Sequence, residues 1–179
     1  MESNHPHFKL ILGSSSIARR QILTDMGYQF TLMSADIDEK SIRKETPEEL
    51  VLALAEAKVV VYEDAVREKP SSVEEAREYI RGYSKGHTAT VSSVAVTNIK
   101  TGVRKGGVDR VEIYFNEIPE ETIEKLIEEG MVLKVAGALL IEHPLMLSCV
   151  KEVVGTTDSV MGLPKELTEK LIKEVLAST

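Results

Sequence analysis

Three hydroxyls and two guanidinium groups crowd one short stretch of this chain, LILGSSSIARRQIL: Ser14, Ser15 and Ser16, then Arg19 and Arg20. An apolar triplet at 10–12 runs into Gly13, and helical spacing begins at Ser16. The first N–H groups of a helix carry partial positive charge and favour anions. Serine hydroxyls add donors, and Arg presents a planar fork that matches phosphate oxygens. Ser14, Ser16 and Arg19 are therefore candidates for a phosphate cradle. The same residues are also explained, more simply, by Ser16 as a plain helix N-cap with the arginines on a solvated face. Spacing leaves both open, and the GxxxxGK[ST] pattern of a P-loop is absent.

Asp36, Asp38 and Glu39 follow the next apolar segment, where ligand crevices open in α/β sheets. Carboxylates there suit Mg²⁺, which takes one or two protein carboxylates and completes its shell with substrate phosphates and water. A solvated acidic loop would use the same residues. Lys69, before Pro70, offers a cation to a phosphate chain or simply a surface charge. His87 and His143 lack partners at metal-ligand spacing. Cys149, close to Leu147 and Val150, reads as a buried thiol, and no Gly-x-Ser-x-Gly motif suggests acyl chemistry.

The elements that would position these groups follow from apolar spacing and turn residues. A strand at 9–12 leads to a helix at 16–26 with Ile17, Ile22, Leu23 and Met26 apolar, then a strand at 29–35. A helix opens at TPEEL, with Thr46 as cap and Pro47 at its first position, and extends to about Lys58. A β-branched run at 59–62 reads as a strand. Ser71 or Ser72 caps the next helix, which turns Val73, Ala76 and Ile80 inward. The run 88–115 reads as a hairpin, with Thr101 and Gly102, or Gly106 and Gly107, as turn candidates. A helix at 119–130, a strand-like segment at 135–147 around Gly137, and a helix at 163–176 complete the pattern. Strands interleaved with helices, plus one hairpin, predict an α/β fold with a mixed twisted sheet and flanking helices. One junction breaks the pattern: AEAKVVVYED passes from helix formers into a β-branched run with no turn chemistry between them.

The chain has 179 residues, enough for one well-filled core. A net charge of −7 with no basic run argues against a grip on a nucleic acid polymer. The single cysteine permits no internal disulfide and suits a reducing compartment. MESNHPHFK shows no secretory signal core, and no apolar run reaches membrane-spanning length, so the expectation is a cytoplasmic protein without a membrane partner.

Several stretches occur in a recognisable order: LILGSSSIARRQIL, SADIDE, TPEELVLALAEAK, VREKPSSVEEAREYIRGYS, VEIYFNEIPEETIEKLIEEG, LKVAGALLIEHP and VMGLPKELTEKLI. Together they resemble the Maf family of nucleoside triphosphate pyrophosphatases, relatives of the ITP pyrophosphatases, over nearly the whole chain. The resemblance implies a single domain spanning 1–179, with two lobes around a deep cleft and often a homodimer. It implies hydrolysis of a nucleoside triphosphate to the monophosphate and pyrophosphate with a divalent metal, usually Mg²⁺, with Mn²⁺ as the alternative. Carried over by motif, Ser14, Ser16 and Arg19 would hold the triphosphate, Glu39 would help bind metal, and Lys58 and Lys69 would neutralise phosphate charge.

Two departures from the family pattern stand out. The family has a further segment before the strand at 59–62, ending in an Asp-Thr-Val-Val-like strand whose aspartate activates water or binds metal. Here the segment and its aspartate are missing at the 58/59 junction, the place where turn chemistry already failed. Asp64 lies at the far end of that strand and does not replace it. The second departure is Glu142, where the family commonly has Gln near its base-recognition segment. A subgroup with Glu there acts on 7-methyl-GTP, whereas the Gln subgroup prefers dTTP and UTP. A carboxylate can accept from the N1–H and 2-amino groups of guanine. The expectations are thus a pyrophosphatase impaired by the missing segment, or a catalytically inactive variant that binds a nucleotide or a partner.

Overall fold

The computed structural model describes residues 8–33 and 58–178. It bears out the α/β class and divides its strands between two sheets. In the first, β1 (Leu10–Leu12) pairs in parallel with β2 (Phe30–Leu32), and α1 (Ile17–Asp25) makes the crossover between them. The second is antiparallel throughout, in the order β4-β3-β5-β6-β7. Its strands are β3 (Lys58–Tyr62), β4 (Ala65–Arg67), β5 (His87–Thr97), β6 (Arg104–Phe115) and β7 (Val150–Val154). The helices α2 (Val73–Tyr83), α3 (Glu120–Glu128), α4 (Pro144–Leu147), α5 (Thr157–Val160) and α6 (Lys165–Ala177) complete the described chain. Among the described residues no helix is long and apolar enough to cross a membrane.

Side chains on a strand alternate between its faces, so the sheet feeds different apolar clusters from neighbouring positions. Val60 joins Ile80, Tyr83, Val111, Ile113, Leu126 and Met146 in the largest cluster. Val59 and Val61 face the other way and pack with Ala89 and Val91. A third cluster gathers Leu12, Ile22 and Leu23 around Val94, Leu163 and Leu171. The eleven residues of β5 extend about 35 Å at the usual strand rise, enough to serve more than one cluster. Helix α2 is capped by the Ser72 hydroxyl, which accepts the Glu75 N–H at 3.1 Å. It is tied to α3 by Arg77, whose Nε and Nη2 reach both oxygens of Glu124 at 2.7 and 3.0 Å. Ala76 and Ile80 are buried as their spacing predicted.

Several expectations fail for identifiable reasons. Gly106 and Gly107 do not turn the chain; they lie within β6, opposite Ala95 and Val94. The reversal falls at 98–103, where the Asn98 N–H donates to the Val103 carbonyl at 2.8 Å and the Asn98 side chain accepts the Lys100 N–H at 3.0 Å. Lys58, expected at the end of a helix, is the first residue of β3. The helix opened by Thr46 lies outside the described residues. Ile17, expected on the inward face of α1, is 81% exposed, and the buried face rests on Ile22 and Leu23.

The segment 135–147 is not a strand. After a 3₁₀ turn at Met131–Lys134, it forms a second at Ala136–Ala138, then a turn and α4. Gly137 and Ala138 both have left-handed φ, +62° and +52°, which no strand accommodates. The Tyr83 hydroxyl donates to the Gly137 carbonyl at 2.7 Å, and the Gly137 N–H donates to the Glu68 carbonyl at 2.8 Å. A Cβ on Gly137 would lie 2.7 Å from the Val60 Cβ, so only glycine lets the loop approach β3. Apolar composition could not distinguish this buried loop from a strand, and β7 takes the sheet position instead.

Burial pushes the Tyr83 hydroxyl up to about 12, and burial together with the Glu169 carboxylate does the same for Tyr28. Between pH 10 and 12 the unfolded chain releases protons that the native state keeps, so stability falls with rising pH. The contribution is fully present below pH 10 and is lost as pH passes about 12. Urea unfolding across this window should show the midpoint dropping in the native chain and less so in a Tyr28→Phe/Tyr83→Phe variant. Equal slopes in the two proteins would remove the assignment.

Candidate functional site

The candidate cradle forms where β1 ends and α1 begins. Ser16 is the N-cap: its backbone is extended and its Oγ accepts the Arg19 N–H at 3.4 Å. Ser14, buried beneath, accepts the Ser16 N–H at 3.2 Å and Arg19 Nη1–H at 3.1 Å on the same Oγ. Arg19 Nε–H donates to the Gly162 carbonyl at 2.9 Å, and Arg20 Nη2–H donates to the Ser15 carbonyl at 3.3 Å. The N-cap reading of Ser16 is therefore correct. It is also compatible with an anion site, because the cap leaves a guanidinium held at two points beside the positive end of a helix.

Sequence reasoning missed the residues that hold Arg19 from the other side. Gly162 sits in the turn between α5 and α6, with φ +100° and its N–H donating to the Ser159 carbonyl at 2.9 Å. That carbonyl also accepts Ser92 Oγ–H at 3.0 Å, and Ser92 is the cross-strand partner of Lys58. One run of contacts thus links Arg19 through Gly162, Ser159 and Ser92 to the start of β3. Asp158 fixes the same turn by accepting the Lys165 N–H at 2.7 Å. The Gly-Leu-Pro that opens α6 marks a turn in the sequence, but a contact with an arginine 143 positions away has no local signature.

Lys69 and Glu142 belong to a different neighbourhood. Lys69 is exposed, and the preceding Glu68 carbonyl receives the Gly137 N–H, which ties it to the 136–138 turn. Glu142 is exposed on a turn closed by the His143 N–H donating to the Leu140 carbonyl at 3.1 Å. His143 secures that turn: its Nδ1 accepts the Leu145 N–H at 3.2 Å and its Nε2 meets Glu129 Oε2 at 2.7 Å. The structure therefore brings Ser14, Ser16 and Arg19 together, and places Lys69 next to the residue tied to Gly137 and Glu142 on the turn that His143 closes. Glu39 lies outside the described residues, as do Asp36 and Asp38. Cys149 is buried, as its neighbours predicted.

Chemically, a helix N-terminus and an oriented guanidinium bind an anion that presents at least two oxygens. Among the described residues there is no group of three or more His, Cys, Asp or Glu side chains able to hold a metal ion.

The structure thus sets a guanidinium beside the N-terminus of its first helix, on a mixed α/β frame. The chain belongs to the Maf-like protein family, which it matches over residues 9–175. Its relatives include the 7-methyl-GTP pyrophosphatase of Dictyostelium discoideum, 38% identical over 192 residues that take in 93% of this chain and 96% of the relative. The dTTP/UTP pyrophosphatase of Vibrio cholerae is 30% identical, covering 92% of this chain and 96% of its own. The corresponding enzyme of Geobacillus sp. (strain WCH70) is 29% identical, covering 93% and 98%.

The Ser16 hydroxyl acts as a cap whatever else binds there. Ser16→Ala should lower unfolding free energy by about 1 kcal/mol, and Ser16→Asp should restore most of it. Both effects are readable as shifts in thermal midpoint, and an Ala variant as stable as the native chain would contradict the cap.

Proposed function

We propose that this chain is a nucleoside triphosphate pyrophosphatase, cleaving its substrate to the nucleoside monophosphate and pyrophosphate, with a guanine nucleotide such as 7-methyl-GTP as the preferred substrate. The observation that carries the reading is Arg19, oriented by Ser14 and Gly162 at the N-terminus of α1. Its support comes from relatives named for the same reaction. Hydrolysis at a phosphorus needs positioning and charge neutralisation more than covalent catalysis. In this reading Arg19 and the first N–H groups of α1 bind the triphosphate oxygens. Lys58 and Lys69 offset the charge that builds on the departing pyrophosphate. Glu142 accepts hydrogen bonds from the guanine edge, an arrangement a pyrimidine cannot reproduce. A divalent ion, Mg²⁺ or Mn²⁺, would be held by Glu39 with the phosphates and would supply Lewis-acid stabilisation. The proposal also includes a homodimer working in the cytoplasm.

A second reading is favoured by one feature. The alignment with the Dictyostelium relative runs over 192 residues, more than the 179 of this chain, so that relative carries residues for which this chain has no counterpart. Placed at the 58/59 junction, the gap removes the family's aspartate and leaves a chain that binds nucleotide with little or no turnover.

Pyrophosphate release from 7-methyl-GTP, GTP, dTTP and UTP with Mg²⁺, measured for this chain and for one with the segment restored, separates the two. Turnover at similar rates supports the enzyme reading. Turnover confined to the restored chain, with nucleotide binding retained in both, supports the second. Glu142→Gln should shift preference from guanine nucleotides toward dTTP and UTP, and an unchanged ranking would remove Glu142 from base recognition.

A further inference from the structure

We infer that Gly162 is a positioning residue for the anion site: its backbone carbonyl aims the Arg19 guanidinium, so the turn between α5 and α6 is part of the grip. The inference rests on the anion-binding reading of Arg19 and extends it to a residue at the other end of the chain.

An arginine side chain has several rotatable bonds and points in a defined direction only when something holds its plane. Here contacts from two separate parts of the chain contribute to that hold. Ser14 Oγ takes Nη1–H at 3.1 Å, and the Gly162 carbonyl takes Nε–H at 2.9 Å. Two acceptors on non-equivalent nitrogens fix both the position and the tilt of the planar group. The Gly162 carbonyl is itself immobilised. Its residue is buried, its N–H is bonded to Ser159, and the next residue donates to the Asp158 carbonyl at 3.0 Å. Leu163 then enters the same apolar cluster as Ile22 and Leu23 of α1, so the acceptor and the arginine move as one body.

Glycine is required at this point by its backbone. The chain has φ +100°, a region that L side chains rarely adopt, so a larger residue would rotate the peptide and its carbonyl. Space is not the constraint, because a Cβ would meet the guanidinium only in ordinary van der Waals contact, 3.4 Å from Nε and 3.5 Å from Nη2. The effect reaches Arg19 through the carbonyl and removes no charge.

The test measures binding of inorganic triphosphate by calorimetry in the full chain, in native, Gly162→Ala, Arg19→Ala and doubly substituted forms. Gly162→Ala should retain its fold by circular dichroism and bind about tenfold more weakly, the effect of one charge-assisted hydrogen bond. In the Arg19→Ala background the same change should do nothing further. A folded Gly162→Ala protein that binds as the native chain does, or that loses as much affinity without Arg19 as with it, overturns the inference. Should Gly162→Ala fail to fold, Arg19→Lys carries the test. Lysine keeps the charge but has no second nitrogen to span Ser14 and Gly162, so affinity should fall nearly as far as in Arg19→Ala. Native affinity in Arg19→Lys overturns the inference instead. Undiminished binding by Arg19→Ala would sink the anion reading itself, which keeps the two failures distinct.

Discussion

A strand can serve two cores only if it is long enough to reach both and its side chains alternate in step with each. β5 meets that condition over 87–97, and the arrangement of the described residues depends on it. Ala89 and Val91 pack with Val59 and Val61, while Val94 packs with Leu12, Leu23 and Leu171. The face that carries Val94 also carries hydroxyls: Thr88 donates to the Val61 carbonyl at 2.7 Å and Ser92 to the Ser159 carbonyl. Each is a buried polar group with a partner, which burial in a low-dielectric interior demands. Thr90 and Ser159 keep buried hydroxyls without a protein partner among the described residues. The middle of β5 is accordingly the most polar part of an otherwise apolar interior.

The contacts that hold Arg19 come from separate parts of the frame. Ser14 comes from the exit of β1, Ser16 and Arg19 from α1, and Gly162 from the turn before α6. α6 is tied in turn to the connection between α1 and β2 by Tyr28, whose hydroxyl donates to Glu169 at 2.6 Å. The chain's net charge of −7 is felt at long range, whereas a held guanidinium beside helix N–H groups sets the local field over a few ångströms.

How much of this could be read from the residues depended on whether the cause was local. The helix caps at Ser16 and Ser72 and the inward faces of α1 and α2 rest on neighbours within a turn or two, and all but Ile17 followed the pattern. The order of motifs was enough to place the chain in its family. Gly137 and Gly107 were misjudged because their roles come from distant contacts, with Tyr83 and Val60 in one case and with the sheet and α6 in the other. β4 and β7 escaped notice because short edge strands have little composition of their own. Within the site, the side chains were legible and the backbone acceptor was not, since a carbonyl carries no letter in the sequence.

The strand that opens at Lys58 has one more consequence. Its partners among the described residues are β4 and β5, and both lie later in the chain. Among the described residues the register of β3 is therefore written downstream, by a two-residue hairpin on one side and four antiparallel rungs against β5 on the other. The strand is seated by chain that follows it: its place in the sheet is settled by partners that are synthesised after it.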